Sequence, residues 1–423
     1  MPGPLAGIRI LEFSEIIAAP FAGMLLSDMG AEIIKVEPLE GEPWRLFAPF
    51  VPTESRTYIS LNRGKRGLTL DLTKPEAREV VRRLVPKTDV VLVNYRPDVP
   101  AKLGIDYESL SSLNPRLIYC DNTAFGRKGP HAHRPGYDVI VQGLTGLMAL
   151  EGKSLDGVPV FNAHAAADYS TGIMMAWAVC AALYHRERSG RGQRIDTTLL
   201  GSALAIQNTT FQLVESVDLE WRQRLLKRLE QGRAEGQDYE ELRAYLIATR
   251  PLQAIGNIHY RVYKTRDSYI VVGALSASLR RKLCDAIGVE DRRIGDPDWD
   301  PTKPASREYA AALVAEAEAV LRERTTDEWL ALFDAKGVPA GPFRFTQELL
   351  NDPQVLANDL QATVEHPLAG TVHMVGAPLQ MSETPLAVQG ASPALGQHTD
   401  EVLSSLGYAA NEIAALREAG AVG

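Results

Sequence analysis

The chain has 423 residues, 45% apolar and 23% charged, which excludes wholesale disorder and leaves room for one to three domains around a sizeable core. Its net charge of −8 offers no basic excess to neutralise phosphates, so nucleic acid is not expected as a partner. Cys120, Cys180 and Cys284 are far apart, with no CxxC pair and no Cys/His cluster, so neither a disulfide framework nor a metal site is expected and a reducing cytoplasm fits.

Met1–Gly7 lacks a basic start and an apolar run, so no signal peptide is expected. The spacing then predicts a strand over Ile8–Phe13, a helix over Pro20–Met29 stopped by Gly30, and strands over Glu32–Glu37 and Leu68–Leu72. A helix over Pro75–Val85 and strands over Asp89–Asn94 and Leu117–Cys120 follow. Strands alternating with helices in this way predict βαβ units and a mostly parallel sheet, hence an α/β fold.

From Tyr137 to about Leu213 the pattern is helical. Residues 171–187 are apolar nearly all round, which predicts a core helix, and the run Ile173–Tyr184 is too short to span a bilayer, so no membrane is expected as a partner. Residues 215–247 read as charged, solvent-facing helices. A hairpin (260–263 and 269–272), helices at 277–287, 306–324 and 326–336, a loop over Asp296–Pro301, short strands near Val364 and Val372, and two last helices (398–406 and 410–419) complete the chain.

The nucleotide-binding motifs are missing. The turn Ser14–Pro20 has no glycine, so backbone cannot approach a pyrophosphate as in a GxGxxG loop, and there is no P-loop, GxSxG or HExxH. Asp168 stands out, behind three alanines at a helix start, where free amides and the helix dipole would hold it ionised. It reads either as an N-cap or as a nucleophile beside oxyanion-binding amides. In the loop Leu61–Arg66, Lys65 and Arg66 read either as phosphate partners or as solvated charge. Asn94 and Tyr95, where a strand ends, read either as a seat for a purine or pantetheine arm or as a plain turn.

Taken together, GIRILEF (7–13), AAPFAGMLLSDMGAEIIKVE (18–37), LNRGKRGLTLDL (61–72), NYRPDVPAKLGIDYESLSSLNPRLIY (94–119), AADYSTG (166–172), ALYHRERSGRGQRID (182–196), NIHYRVYKTRDSYIVVG (257–273) and LGQHTDEVLSSLGY (395–408) resemble the family III CoA-transferases. Formyl-CoA:oxalate and carnitine CoA-transferases belong there, and α-methylacyl-CoA racemase shares the fold. The resemblance implies a Rossmann-like large domain over 1–210 completed by 345–423, a helical linker over 211–250, a smaller α/β domain over 251–344, and two chains interlocked as a homodimer. It implies Asp168 as nucleophile, and no permanently bound cofactor, with coenzyme A and acyl-CoA as substrates beside a carboxylic acid acceptor. Coenzyme A would be held near Ile17, Leu61, Lys65, Arg66, Asn94, Tyr95 and Tyr137, with Lys102 and Arg134 as phosphate partners.

This chain departs from its relatives at Ile17, where many have glutamine, and in lacking the glycine run that covers some sites; Gly273–Ala277 falls in the corresponding region. A racemase needs two acid/base groups on opposite faces, and the histidine of the relatives' Gly-His-Asp run is Tyr137 here, a phenol whose pKa of about 10 makes it a poor base. The alternatives are therefore the racemase, an intramolecular CoA shift on the same aspartate, and a non-catalytic CoA-binding protein.

Overall fold

A computed structural model describes residues 2–249, 256–300 and 303–423. The chain forms two compact units, one of Met1–Gln212, Asp238–Arg243 and Pro353–Gly423, the other of Leu213–Gln237 and Ala244–Asp352. The charged helices Glu215–Ala234 and Tyr239–Thr249 are present where the composition placed them.

The first unit is built on six parallel strands, β1 (Arg9–Phe13), β2 (Glu32–Glu37), β3 (Lys65–Thr69), β4 (Val90–Val93), β5 (Ile118–Thr123) and β6 (Arg194–Thr198). Their order is β3–β2–β1–β4–β5–β6. Alternating side chains feed two layers. Leu11, Phe13, Val91 and Val93 pack on one face with Ala77, Val80 and Leu84 and with Val402, Leu403 and Ile413 from the C-terminal helices. Ile10, Val90 and Leu92 pack on the other with Ala22 and Leu26 of α1 (Ala18–Asp28) and Met175 and Val179 of a long helix. The central strand β4 is a continuous apolar run because both faces are covered.

That long helix is α3 (Ala166–Ser189), preceded by α2 (Asp138–Thr145). It lies against α1 so closely that a Cβ on Gly172 would stand 2.7 Å from the Ala18 carbonyl oxygen. The expectation of a wholly core helix is corrected: Ile173, Trp177 and Tyr184 share an exposed face, with Trp177 at 72% exposure. At 24 residues α3 is long and apolar enough to cross a membrane, but half of its apolar window is buried in the fold.

Two strands differ from expectation. β3 starts at Lys65, three residues before the apolar run, because Lys65 turns inward onto buried Glu12 while Arg66 on the opposite face pairs with Glu32 and Glu401. The polar edge strand β6 has no apolar run to announce it.

In the second unit β7 (Tyr260–Lys264), β8 (Tyr269–Gly273) and β9 (Ala340–Pro342) form an antiparallel sheet. It packs on α4 (Ala277–Ile287), α5 (Pro304–Leu321) and α6 (Thr326–Lys336) through Ile270, Leu283, Leu313 and Phe333. Ser276 caps α4, so part of the stretch 273–277 is a strand end and helix cap. The expected loop at 296–301 lies partly outside the described residues.

Candidate active site

The sheet order reverses between β1 and β4, and ligands of open parallel sheets bind beyond the carboxyl ends of strands at such a point. A cavity of about 540 Å³ lies there. Glu15 and Ile16 line it after β1, Asn94 to Pro97 after β4, and Asn122 to Ala124 at the end of β5. Arg134 to Tyr137 and Asp168 complete its wall.

The turn from β1 to α1 does without glycine at a cost. Ile16 has φ +68°, a left-handed conformation that costs a β-branched residue about 1–3 kcal/mol. Three side chains hold the turn. Asn94 accepts from the Glu15 amide (3.0 Å) and donates to the Glu15 carbonyl (2.8 Å). Glu42 accepts from the Ile16 amide at 2.7 Å, and Lys35 donates to the Ser14 carbonyl at 3.0 Å. Behind the turn, Glu12, Lys35, Glu42 and Lys65 form a buried ionic cluster.

Asp168 is the third residue of α3, not its cap. The cap position is Ala165, at φ +38° with no side chain to offer, and Asp138 supplies the capping carboxylate from the start of α2. Its Oδ1 accepts from the amides of Ala167 (2.8 Å) and Asp168 (3.1 Å). Gln142 donates to its other oxygen and is itself braced by the backbone of Asn162. The expectation that the helix start keeps Asp168 ionised is therefore corrected. Two of its amides serve Asp138, and burial, reinforced by the Asp138 charge, pushes the Asp168 carboxyl up to about 7. Among the described residues no donor or cation engages the Asp168 carboxylate, which is 8% exposed and faces the cavity.

Of the residues expected from sequence, the structure brings Asn94, Tyr95, Arg134, Tyr137 and Asp168 together on this wall and leaves Ile17, Leu61, Lys65, Arg66 and Lys102 off it. Ile16 lines the cavity and Ile17 does not. Leu61 is buried. Lys65 is fully enclosed, bonded to Glu12, Asn62 and the Pro20 carbonyl, and burial lowers its ammonium to about 8. A charge so enclosed is neither a solvated lysine nor one that meets a phosphate at this cavity. Lys102 pairs with Asp98 on the surface. Asn94 is on the wall, but both ends of its amide are used by Glu15.

Sequence reasoning gave no role to Glu15, Glu42, Asn122 or Asp138. The available signals were the charges Glu12 and Lys35 inside otherwise apolar strands, and the run Gly136–Asp138. Among the described residues no histidine lines the cavity. A second cavity of about 430 Å³ shares Pro38, Tyr95 and Leu103 with the first. A larger one of about 730 Å³ along residues 359–388 has no cationic side chain among the described residues.

The sequence profile of CoA-transferase family III matches residues 5–399. The chain belongs to that family. It is 37% identical to the succinate–glutarate CoA-transferase of Agrobacterium fabrum, over 95% of this chain and 96% of that one. It is 31% identical to the human succinyl-CoA:glutarate CoA-transferase, over 99% and 90%. The crystal structure of a CAIB/BAIF family protein from Brucella suis matches with a TM-score of 0.73 at 31% identity, covering 96% of this chain and all of that one (100%). The cavity thus sits in a family III CoA-transferase, an enzyme class that works on CoA thioesters.

Proposed function

We propose that this CoA-transferase moves coenzyme A from an acyl-CoA thioester to a carboxylic acid through covalent intermediates on Asp168. The observation that carries the proposal is the Asp168 carboxylate itself, unpartnered on the wall of a cavity at the sheet's reversal point. A carboxylate with no donor is a better nucleophile than one already bonded, and a raised pKa makes it more basic.

Asp168 attacks the thioester carbonyl and expels the CoA thiolate, leaving a mixed anhydride. The thiolate attacks the aspartyl carbonyl, releasing the donor acid and leaving aspartyl-CoA. The acceptor carboxylate attacks that thioester, again expelling thiolate. The thiolate then attacks the acyl carbon of the new anhydride, giving acyl-CoA and free Asp168. One thioester becomes another, so no net energy source is required. The exchange also proceeds within one dicarboxylic acid by the same steps.

The α3 amides occupied by Asp138 cannot stabilise the oxyanions of this sequence, and Asn122 takes that role. It is buried on β5, lines the cavity, and its side-chain oxygen accepts from Thr197. Arg96 and Arg134 supply positive charge on the same wall for phosphate or carboxylate groups. The adjoining 430 Å³ cavity extends the room available to a long ligand past Tyr95. The relatives named for succinate and glutarate support a dicarboxylic acid as acceptor.

A cytoplasmic homodimer belongs to the same proposal. Its support is the exposed face of Ile173, Trp177 and Tyr184, which a second copy would cover, and three cysteines that are all free. Light scattering on the purified protein tests the dimer.

The enzymatic test is incubation with succinyl-CoA and glutarate, read by mass spectrometry for glutaryl-CoA, with hydroxylamine to mark the activated carboxyl. Modification is expected at Asp168. An unmodified Asp168 in a preparation that makes product overturns the mechanism, and no product from any acyl-CoA and acid pair overturns the activity.

A further inference from the structure

We infer that Glu42 is a positioning residue of this enzyme, holding the strained Ile16 turn in the shape that walls the acyl-CoA cavity. The inference rests on the reading of that cavity as the CoA site.

Ile16 forms part of the wall, yet its left-handed backbone is one that a branched side chain avoids. Such a conformation persists only where the surroundings over-determine it. Asn94 holds the residue before it, and Lys35 holds the carbonyl of Ser14. The clamp on Ile16 itself is Glu42, which follows β2 and is only 1% exposed.

Glu42 is matched to this task. One oxygen accepts from the Ile16 amide at 2.7 Å, and the other lies 3.0 Å from the Lys35 ammonium. Two donors therefore converge on one carboxylate. A glutamine in its place has one acceptor, which the buried ammonium claims, and its NH₂ group then faces the Ile16 N–H, donor against donor. An aspartate keeps both acceptors but falls short by one methylene.

A competing role is simple charge balance for Lys35, which also contacts Glu12 at 3.2 Å. The two roles separate at Ile16. Glycine takes up a positive φ without strain, needs no clamp, and with its wider choice of backbone angles can turn its N–H away from an intruding amide. If Glu42 acts through Ile16, Ile16→Gly relieves the damage done by Glu42→Gln. If Glu42 only balances charge, it does not.

The test is a double-mutant cycle of wild type, E42Q, I16G and E42Q/I16G, with coenzyme A binding measured by calorimetry and steady-state kinetics alongside. E42Q is expected to weaken coenzyme A binding and raise KM for the acyl-CoA about tenfold, with kcat changed less than about threefold. Adding I16G is expected to recover most of that loss. E42Q binding within about twofold of wild type, or a loss that I16G does not recover, overturns the inference. Should E42Q not fold, E42D replaces it in the cycle, and the same two results overturn the inference. Absence of coenzyme A binding by the wild-type protein overturns the reading of the cavity and this inference with it. Intact wild-type binding with an unaffected E42Q overturns the inference alone.

Discussion

Asp138 caps the helix that carries Asp168, its Oδ1 accepting the amide protons of Ala167 and Asp168 at 2.8 and 3.1 Å. One carboxylate thus takes the helix-start donors that would otherwise favour charge on the other, and adds its own negative field. Burial does the larger share, and together they bring the Asp168 carboxyl to about 7. On the proposed mechanism the ionised form attacks, so kcat/KM is expected to rise with pH through a midpoint near 7. Well below the midpoint it should fall about tenfold per pH unit. A profile flat from pH 5 to 8 contradicts a titrating Asp168.

Asp138→Asn removes the like charge, so the acidic limb of that profile should move to lower pH. The same change disturbs the bond from Gln142, because a side-chain NH₂ replaces an acceptor there. A loss of about 1 kcal/mol from that bond is expected alongside, read by urea denaturation. A limb that stays in place sinks the assignment of Asp138 as the charge acting on Asp168.

Asp168→Asn should reduce transfer by on the order of 10³-fold or more, since an amide cannot form the anhydride. Its stability should change in the opposite sense. The native carboxyl titrates near 7 against 3.8 for the ordinary group, so ionisation costs native stability progressively as pH rises through that window. Asparagine carries no such cost. Thermal melts should therefore coincide near the acid end of the window and separate at pH 8, with Asp168→Asn higher by on the order of 2–4 °C. Equal melts at pH 8 would show that the buried charge is not destabilising.

Arg45 joins the two ends of the first unit. It is fully buried, pairs with Glu37 (2.7 Å) and Glu54 (2.8 Å), and donates to the Pro393 carbonyl at 3.0 Å. Removing it leaves two carboxylates enclosed without their cation. Arg45→Met is expected to destabilise the protein by about 3–5 kcal/mol in urea titrations. A cost under about 1 kcal/mol would mean that water reaches the site.

Arg134 is exposed on the cavity wall, where an arginine meets phosphate or carboxylate as a fork. Arg134→Gln should raise KM for the acyl-CoA about tenfold with little change in kcat, and the difference should shrink with added salt. An unchanged KM removes Arg134 from substrate binding.

Much of the frame was legible in the residue order. The patterns Ile10–Phe13 and Ile33–Val36 read as strands and the apolar run Val90–Val93 as one covered on both faces, and Pro75 and Gly30 marked a helix start and a helix end. The family motifs drew attention to Asp168, which the structure places on the cavity wall. β3 and β6 escaped that logic. The first begins on a lysine whose charge is neutralised by Glu12, far away in sequence, and the second is an edge strand that buries little.

What residue order determined is the set of local preferences and the motifs of the family, because these depend on neighbours within a few positions. Only the tertiary structure decided the electrostatics of the site. The charge that crowds Asp168 sits thirty residues earlier, the carboxylate that clamps Ile16 comes from beyond the next strand, and the loop lysine Lys65 is a buried counter-ion. Desolvation and Coulomb interaction act through space, and no spacing along the chain reports the distances that set them.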